Sequence, residues 1–193
     1  MEQNAFSTYE FLIINIEITM QDHSTGQELW QGFIRFYRLP DVEPLLLKLQ
    51  DNNGLDVNQV LLAGCLAEQG ISWQADYITE EYVQWREEAL KPIRGVRQTM
   101  KHLPSSMPTE QEEVRKQIKS IELEVEKHAI QLLWTVIADD WSQSLMKELP
   151  ESVDLLSQNV RAAISGMSLI EDIKKGESDQ LIHLLATQFE TKN

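Results

Sequence analysis

Cysteine, basic side chains and long hydrophobic runs are all scarce in this sequence of 193 residues. The single cysteine, Cys65, excludes an intrachain disulfide and favours a reducing compartment, so we expect a cytoplasmic protein. No apolar run reaches the ~18 residues that a membrane-spanning helix needs. The N-terminus carries Glu2 and Glu10 rather than a positively charged segment, which is not typical of a secretory signal.

The low content of basic residues also limits which classes of partner the protein can bind. There are 17 lysines and arginines against 31 aspartates and glutamates, which gives a formal charge of −14. A surface of this sign repels phosphate backbones and anionic lipid headgroups. We therefore predict a protein that binds neither nucleic acid nor membranes.

Motifs that carry known chemistry are missing as well. We find no Gly-x-Ser-x-Gly elbow, no phosphate loop, no dinucleotide fingerprint and no His-Glu-x-x-His pair. One cysteine cannot form a paired-cysteine zinc site, and Cys65 lies between Leu62 and Leu66 as a small buried hydrophobe would. We predict no catalytic residue, no metal site and no cofactor, and we lean against an enzyme without excluding one.

What the sequence does contain is a helical pattern from residue 24 onward. Apolar residues recur at steps of three and four, and the pattern is interrupted at helix-ending signals such as Pro40, Asn53-Gly54, Gly70 and Pro104. Asp41 and Asp56 are placed to cap the helices that follow them. We predict an all-α bundle of about six or seven helices, with one long helix near 110–148. Its core is expected from the first four helices after residue 24 and this long helix.

The first segment departs from this pattern. From Phe11 to Met20, apolar and polar residues alternate as in a β-strand, but no second strand follows to pair with it. Three interpretations remain open: an amphipathic arm, a strand added to a partner, or a start codon assigned too early, with Met20 as the true start. We therefore divide the chain into an N-terminal arm or mis-called start over 1–23 and a single helical domain over 24–193.

Several sequence stretches resemble a family of small bacterial proteins of unknown function. The resemblance is carried by Leu29, Trp30, Phe33, Tyr37, Pro40 and Val42, by Leu49-Gln-Asp-Asn-Asn-Gly-Leu-Asp-Val-Asn58, and by Trp85, Lys91-Pro-Ile-Arg-Gly-Val-Arg97 and Lys101. It covers roughly residues 28–131. It implies an all-helical fold and a bacterial origin, and it supplies no activity and no catalytic residues.

A basic stretch stands out in this acidic chain. It comprises Arg86, Lys91, Arg94, Arg97 and Lys101, and the last three share one helix face because their spacing is three and four. One interpretation is a docking site for a phosphate, a carboxylate-bearing ligand or an acidic partner helix. The other is pairing within the chain, with glutamates such as Glu110, Glu112, Glu113, Glu122, Glu124 and Glu126.

The segment from Gln50 to Asn58 is rich in oxygen donors. A calcium loop needs ligands at alternating positions and a closing bidentate acid, and this segment has neither. We predict a helix–glycine–helix corner instead. Gln50, Asp51 and Asn58 remain candidates for hydrogen bonds to a partner or ligand.

The sequence favours a protein–protein interaction module, such as an adaptor, regulator or assembly factor, over other functions. This hypothesis is based on the absence of catalytic groups, the five tryptophans and the unpaired N-terminal segment. Among the tryptophans, Trp73 and Trp141 are the candidates for exposed contacts. The alternatives are a small-molecule or anion-binding protein using the basic helix face, and an enzyme without a recognisable motif.

Overall fold

A computed structural model describes residues 26–104, 106–144, 153–169 and 171–190 of the chain. The strand-like segment from Phe11 to Met20 and the predicted arm over 1–23 lie outside the described residues. The predicted limits of the arm and of the helical domain therefore stay predictions.

All regular structure in the described ranges is helical, as predicted. In chain order the helices are α1 (Gly26–Tyr37), α2 (Val42–Asn53), α3 (Val57–Glu68), α4 (Glu80–Trp85), α5 (Lys91–His102), α6 (Pro108–Ser144), α7 (Val153–Ser165) and α8 (Lys175–Glu190). A 3-10 turn lies at Ala75–Tyr77, and a π-helical segment, Arg86–Leu90, joins α4 to α5 without a break. Counting α4 to α5 as one helix gives seven in these ranges. The predicted long helix is α6, with 37 residues.

Capping residues explain where several of these helices begin or end. Asp56 accepts the Asn58 backbone N–H at 3.1 Å and the Gln59 side-chain amide at 3.0 Å, so the predicted cap of α3 is confirmed. Gly54 and Gly70 adopt left-handed conformations, with φ of 76° and 64°, at the predicted helix ends. Asp41 was expected to cap α2 through its side chain. This is wrong, because Asp41 is itself left-handed and makes no side-chain cap hydrogen bond.

The described chain divides into two compact units. One, the hairpin unit, holds Ile78–Thr135 and thus contains α4, α5 and most of α6. The other, the helical cluster, holds residues 26–77 and the described residues from Val136 onward.

The helical cluster is built around α3. Every residue of α3 is buried, which fits a helix with apolar residues on all sides. Its neighbours in the cluster bury apolar residues against this core: Leu29, Phe33 and Phe36 from α1, Leu46 and Leu49 from α2, Ile137 and Trp141 from the end of α6, Leu156 and Val160 from α7, and Leu181 and Leu185 from α8. Trp141 is therefore not an exposed contact; its ring N–H donates to Glu28 at 3.0 Å.

Two close approaches hold α1 against α3. A Cβ added at Gly32 would lie 2.5 Å from the Cys65 sulfur, and one added at Gly64 would lie 3.0 Å from the Phe36 ring. A side chain at either position would force Cys65 or the Phe36 ring to shift. Cys65 is a buried free thiol, as predicted, and burial, together with the negative charge of Glu68, raises its pKa.

The hairpin unit has a smaller core. Its buried apolar residues are Tyr82, Leu90, Leu123, Ala129, Ile130 and Leu133. No residue of α5 is buried. The expected contribution of the fourth helix to a core therefore comes from α4 and the π-helical segment, which bury Tyr82 and Leu90, whereas α5 has no buried residue.

Candidate functional site: the α5–α6 hairpin

The π-helical segment decides which face of α5 turns inward. Without it, the apolar residues Ile93, Val96 and Met100 would continue the buried line that begins at Tyr82. A π-turn adds one residue to the helical repeat and so rotates everything after it by about a quarter turn. The inward positions become Arg94 and Arg97, which follow Leu90 at steps of four and three.

Arg94 and Arg97 bridge α5 to α6 through two buried glutamates. Arg94 donates from Nε to Glu122 Oε1 at 3.2 Å and from Nη2 to Glu126. Arg97 donates from Nη2 to the same Glu122 oxygen at 3.1 Å and from Nε to Glu122 Oε2. The carboxyl side chains of Glu122 and Glu126 are 2% and 6% exposed. For these two arginines the structure supports pairing within the chain, one of the two interpretations of the basic stretch.

Burial affects Glu126 more than its cationic neighbours do. Removal from water raises the pKa of Glu126, and the positive charge of Arg94 lowers it by less. The negative charge of Glu122 adds to the rise. The four side chains therefore form a network whose ionised state is costly as well as stabilising.

Arg86 and Lys91 form a separate pair of contacts, both to Glu87. Arg86 Nε donates to Glu87 Oε1 at 3.0 Å, and Lys91 Nζ lies 2.7 Å from both carboxylate oxygens. Partial burial raises the pKa of Glu87, but the hydrogen bonds from Lys91 and Arg86 outweigh this and lower it overall. The five basic residues are thus split, with Arg86 and Lys91 at Glu87 and the other three facing α6.

Lys101 differs from the other members of the basic stretch. Within the described part of the chain it forms no ion pair, and it lines an open groove of about 270 Å³ between the end of α5 and the start of α6. The other lining residues are Met100, Leu103, Pro108, Gln111, Glu112 and Arg115. Gln111 closes the base of the hairpin, because its amide donates to the Met100 carbonyl at 2.6 Å and the Leu103 carbonyl at 3.0 Å.

Apolar residues on α5, on the turn and on the first half of α6 are exposed or half-buried. Val96, Leu103, Met107, Val114 and Ile121 are between 45% and 56% exposed, and Ile93, Met100 and Ile118 are half-buried. We call α5 and the first half of α6 the hairpin, and we call its apolar surface the hairpin face, formed by Ile93, Val96, Met100, Leu103, Val114, Ile118 and Ile121.

Helical geometry puts both halves of the hairpin face on one side. Successive residues of a helix are about 100° apart around its axis. Viewed along α5, its residues of the hairpin face lie roughly 110° behind the direction in which Arg94 and Arg97 point. Viewed along α6, its residues of the hairpin face lie roughly 90° behind the direction in which Glu122 and Glu126 point, with the same sense of rotation. Because the ion pairs and Gln111 make the two helices antiparallel, offsets of the same sense point to the same side. The α5 and α6 residues of the hairpin face therefore lie on the same side of the hairpin.

The residues predicted at the helix corner lie in the helical cluster. Asn58 is buried, Gln50 is half-buried and Asp51 is exposed, around the turn between α2 and α3. Asp56 is engaged as the α3 cap, and among the described residues no three acidic, histidine or cysteine side chains are grouped as a metal site would require. The helix–glycine–helix corner is confirmed, whereas binding by Gln50, Asp51 and Asn58 stays a prediction.

Sequence reasoning missed Gln111 and Arg115. Both lie on the side of α6 that faces α5, but this side can only be assigned once the π-turn has fixed the rotation of α5. Arg115 lies three residues after Glu112 and donates to it at 2.9 Å, a spacing that is visible in the sequence. The pairing alone does not indicate a groove.

Comparisons with known proteins place the chain in a family. No curated protein and no solved structure matches it. None of the helices in the described ranges has the length and apolar character needed to cross a membrane. A family described as proteins of unknown function, DUF2390, matches residues 28–133, more than half of the chain and the whole α5–α6 hairpin up to Leu133. The chain belongs to this family.

Proposed function

We propose that this protein is a cytoplasmic protein–protein interaction module and that the hairpin face is its docking surface. The observation that carries the proposal is the location of the exposed apolar side chains. Among the described residues, the large apolar side chains that are exposed all belong to the hairpin unit except Val153. Apolar residues concentrated on one surface mark an interaction site more often than the same number scattered singly.

Contacts outside the hairpin face join the two helices of the hairpin. The two helices are joined by the Arg94 and Arg97 ion pairs and by Gln111, and α5 buries no residue of its own. The apolar stripe thus remains available to a partner. Covering a half-exposed valine, leucine or isoleucine contributes on the order of 1 kcal/mol, so burial of the hairpin face favours association by a few kcal/mol. Further contacts at its rim are needed to offset the cost of association.

The partner that fits is an amphipathic helix or helical hairpin. The face is formed by two antiparallel helices, and the shallow furrow between two helices accepts a third helix with apolar residues at steps of three and four. The outer side of α6 carries Glu110, Glu113 and Glu124, all exposed. A second copy of this chain would bring like charges together, so we propose a different protein as the partner.

The basic helix face is a weaker candidate for small-anion binding. Arg94 and Arg97 already satisfy buried glutamates, and Lys91 is engaged by Glu87. Recruiting them for a ligand would leave Glu122 or Glu126 buried without its partner, which is costly. Of these basic residues, only Lys101 forms no ion pair within the described part of the chain.

The test compares three forms of the full chain as bait in native extract: wild type, Val96→Glu and Val153→Glu. The two valines are matched, since they are 51% and 47% exposed, but only Val96 belongs to the hairpin face. We expect a stoichiometric partner with wild type and Val153→Glu that falls at least tenfold with Val96→Glu. A partner retained by Val96→Glu, or the absence of any stoichiometric partner, would overturn the proposal. Sedimentation of the purified protein as a dimer that Val96→Glu dissociates would do so too, because the face would then bind a second copy.

A further inference from the structure

The groove at the base of the hairpin, where α5 leads into α6, combines an excess positive charge with apolar walls. Its lining carries two cations, Lys101 and Arg115, and one carboxylate, Glu112. Arg115 is engaged by Glu112 at 2.9 Å, whereas Lys101 has no ion-pair partner among the residues that the structure describes. The groove is thus one positive charge in excess, in a protein of net charge −14.

Positive charge is also present beyond the residues that line the groove. One turn after Arg115, Lys119 faces the same seam between α5 and α6. Burial lowers the pKa of Lys119, and the positive charges of Arg97 and Arg115 lower it further. The two nearby carboxylates, Glu122 and Glu112, oppose this effect without cancelling it. The cations of the seam therefore repel one another, and an added negative charge at the groove relieves that repulsion.

The apolar part of the lining identifies what carries the charge. Met100, Leu103 and Pro108 form walls beside the Lys101 ammonium and the Arg115 guanidinium. A free inorganic ion would leave these walls uncovered. A planar carboxylate suits a guanidinium, and an apolar side chain next to it would cover Leu103 and Met100.

We propose that this groove binds the carboxylate of an acidic residue flanked by apolar residues in a peptide segment. The inference rests on the proposed function, because Met100 and Leu103 belong to both the groove and the hairpin face. It names the partner's chemistry: the segment that docks on the face carries an Asp or Glu next to an apolar residue at the end that reaches Lys101. Binding of this acidic residue in the groove sets the direction in which the partner helix runs along the hairpin face.

The test uses two peptides on the full-length protein, acetyl-Leu-Glu-Leu amide and acetyl-Leu-Gln-Leu amide, followed by amide chemical shifts in ¹⁵N NMR. We expect saturable shifts at residues 100–103 and 111–115 with the glutamate peptide, and at least fivefold weaker binding of the glutamine peptide. Lys101→Met should weaken the glutamate peptide about three- to fivefold, as expected for one partly exposed ion pair. Lys116→Met is the matched control and should leave affinity unchanged, because Lys116 is exposed, pairs with Glu113 and does not line the groove.

Four outcomes would overturn the inference: equal affinities of the two peptides, equal effects of Lys101→Met and Lys116→Met, shifts confined to residues outside the groove, or no saturable shifts. Inorganic phosphate provides a further arm. If it produces the same shifts with the same affinity as the glutamate peptide, the groove is a general anion site and not a peptide site.

Failure here is distinguishable from failure of the proposed function. Val96 does not line the groove, so Val96→Glu should abolish partner capture and leave the peptide shifts intact. Peptide binding without any protein partner would contradict the proposed function alone. Partner capture that depends on Val96, without glutamate-specific peptide binding, would contradict this inference alone.

Discussion

The Asn159 side-chain oxygen accepts the Trp73 backbone N–H at 2.8 Å, across 86 residues of sequence. The same amide donates to the Ile71 carbonyl at 2.9 Å, and Asn159 is only 2% exposed. One side chain of α7 thereby satisfies the backbone of the loop that follows α3. Trp73, predicted as an exposed contact, is half-buried and packs edge-on against Tyr77, with ring centroids 6.3 Å apart.

Asn159→Ala should lower the free energy of unfolding by about 3 kcal/mol, because it leaves a partly buried N–H and a buried C=O without partners. Urea denaturation followed by circular dichroism measures this. Gln158→Ala, at the exposed neighbouring position, is the control and should change stability by less than about 0.5 kcal/mol. Equal stabilities of the two variants would show that Asn159 does not hold the loop.

The contact of Gly32 with Cys65 predicts a compensating pair of substitutions. Gly32→Ala should cost about 2 kcal/mol by overpacking, since its new methyl group would meet the Cys65 sulfur. Cys65→Ala removes the sulfur, so Gly32→Ala should be less harmful in the Cys65→Ala background than alone. Thermal unfolding of the four proteins gives the coupling energy. Gly95→Ala is the control: nothing lies within 4 Å of its Cβ, so it should stabilise the exposed helix by up to ~1 kcal/mol. Additive effects of the pair would contradict the close approach.

The Arg94 network predicts a large difference between two arginines of the same hairpin. Arg94→Met leaves Glu126 buried without its main cation and should cost about 3 kcal/mol. Arg115→Met breaks only the more exposed i,i+3 pair with Glu112 and should cost less than about 1 kcal/mol. Chemical denaturation of both variants is the measurement. A cost for Arg115→Met equal to that for Arg94→Met would mean that the network is not buried in solution.

The raised pKa of Glu126 predicts a pH dependence of stability. Between the ordinary value of 4.5 and the higher native value, the folded protein binds more protons at this site than the unfolded chain does. The contribution of Glu126 to the free energy of unfolding therefore falls as the pH rises through that window. Arg94, Arg97 and Glu122 face the same carboxyl group, so their charges are included in this shift.

Glu126→Gln removes the titration and keeps a hydrogen-bond acceptor. Relative to wild type, the variant should gain stability as the pH is raised from about 4.5 toward neutrality. Urea unfolding at a series of pH values measures the difference. Two parallel stability curves would contradict a raised pKa at Glu126, and a variant that loses stability with rising pH would indicate a lowered one.

Much of the fold follows from local signals in the sequence. The corner at Gly54, the cap at Asp56 and the end at Gly70 are set by residues whose backbone preferences are strong, and each was predicted. The long helix α6 follows from an apolar period sustained over many turns. The Arg94 and Arg97 pairs with Glu122 and Glu126 were one of two interpretations, because sequence spacing shows a shared face but not which way that face points.

The inward face of α5 could not be predicted because a π-turn breaks the period on which prediction depends. Ile93, Val96 and Met100 continue the apolar steps of α4 in the sequence, and an unbroken 3.6-residue helix would bury them. The one extra residue in the π-turn between Arg86 and Leu90 rotates α5, so that Arg94 and Arg97 take the inward positions instead. Neither Glu87 nor Ala89 carries a compositional signal for such a turn. The same insertion turns the α5 half of the hairpin face outward, so this surface is likewise visible only in the structure.

Hydrogen–deuterium exchange of the protein alone and in complex with its captured partner tests the hairpin face most directly. We predict that partner binding slows amide exchange in residues 93–103 and 114–121, and leaves α7, which carries the exposed Val153, unchanged. Protection confined to α7 or to other parts of the helical cluster, with the hairpin exchanging as in the free protein, would contradict the account.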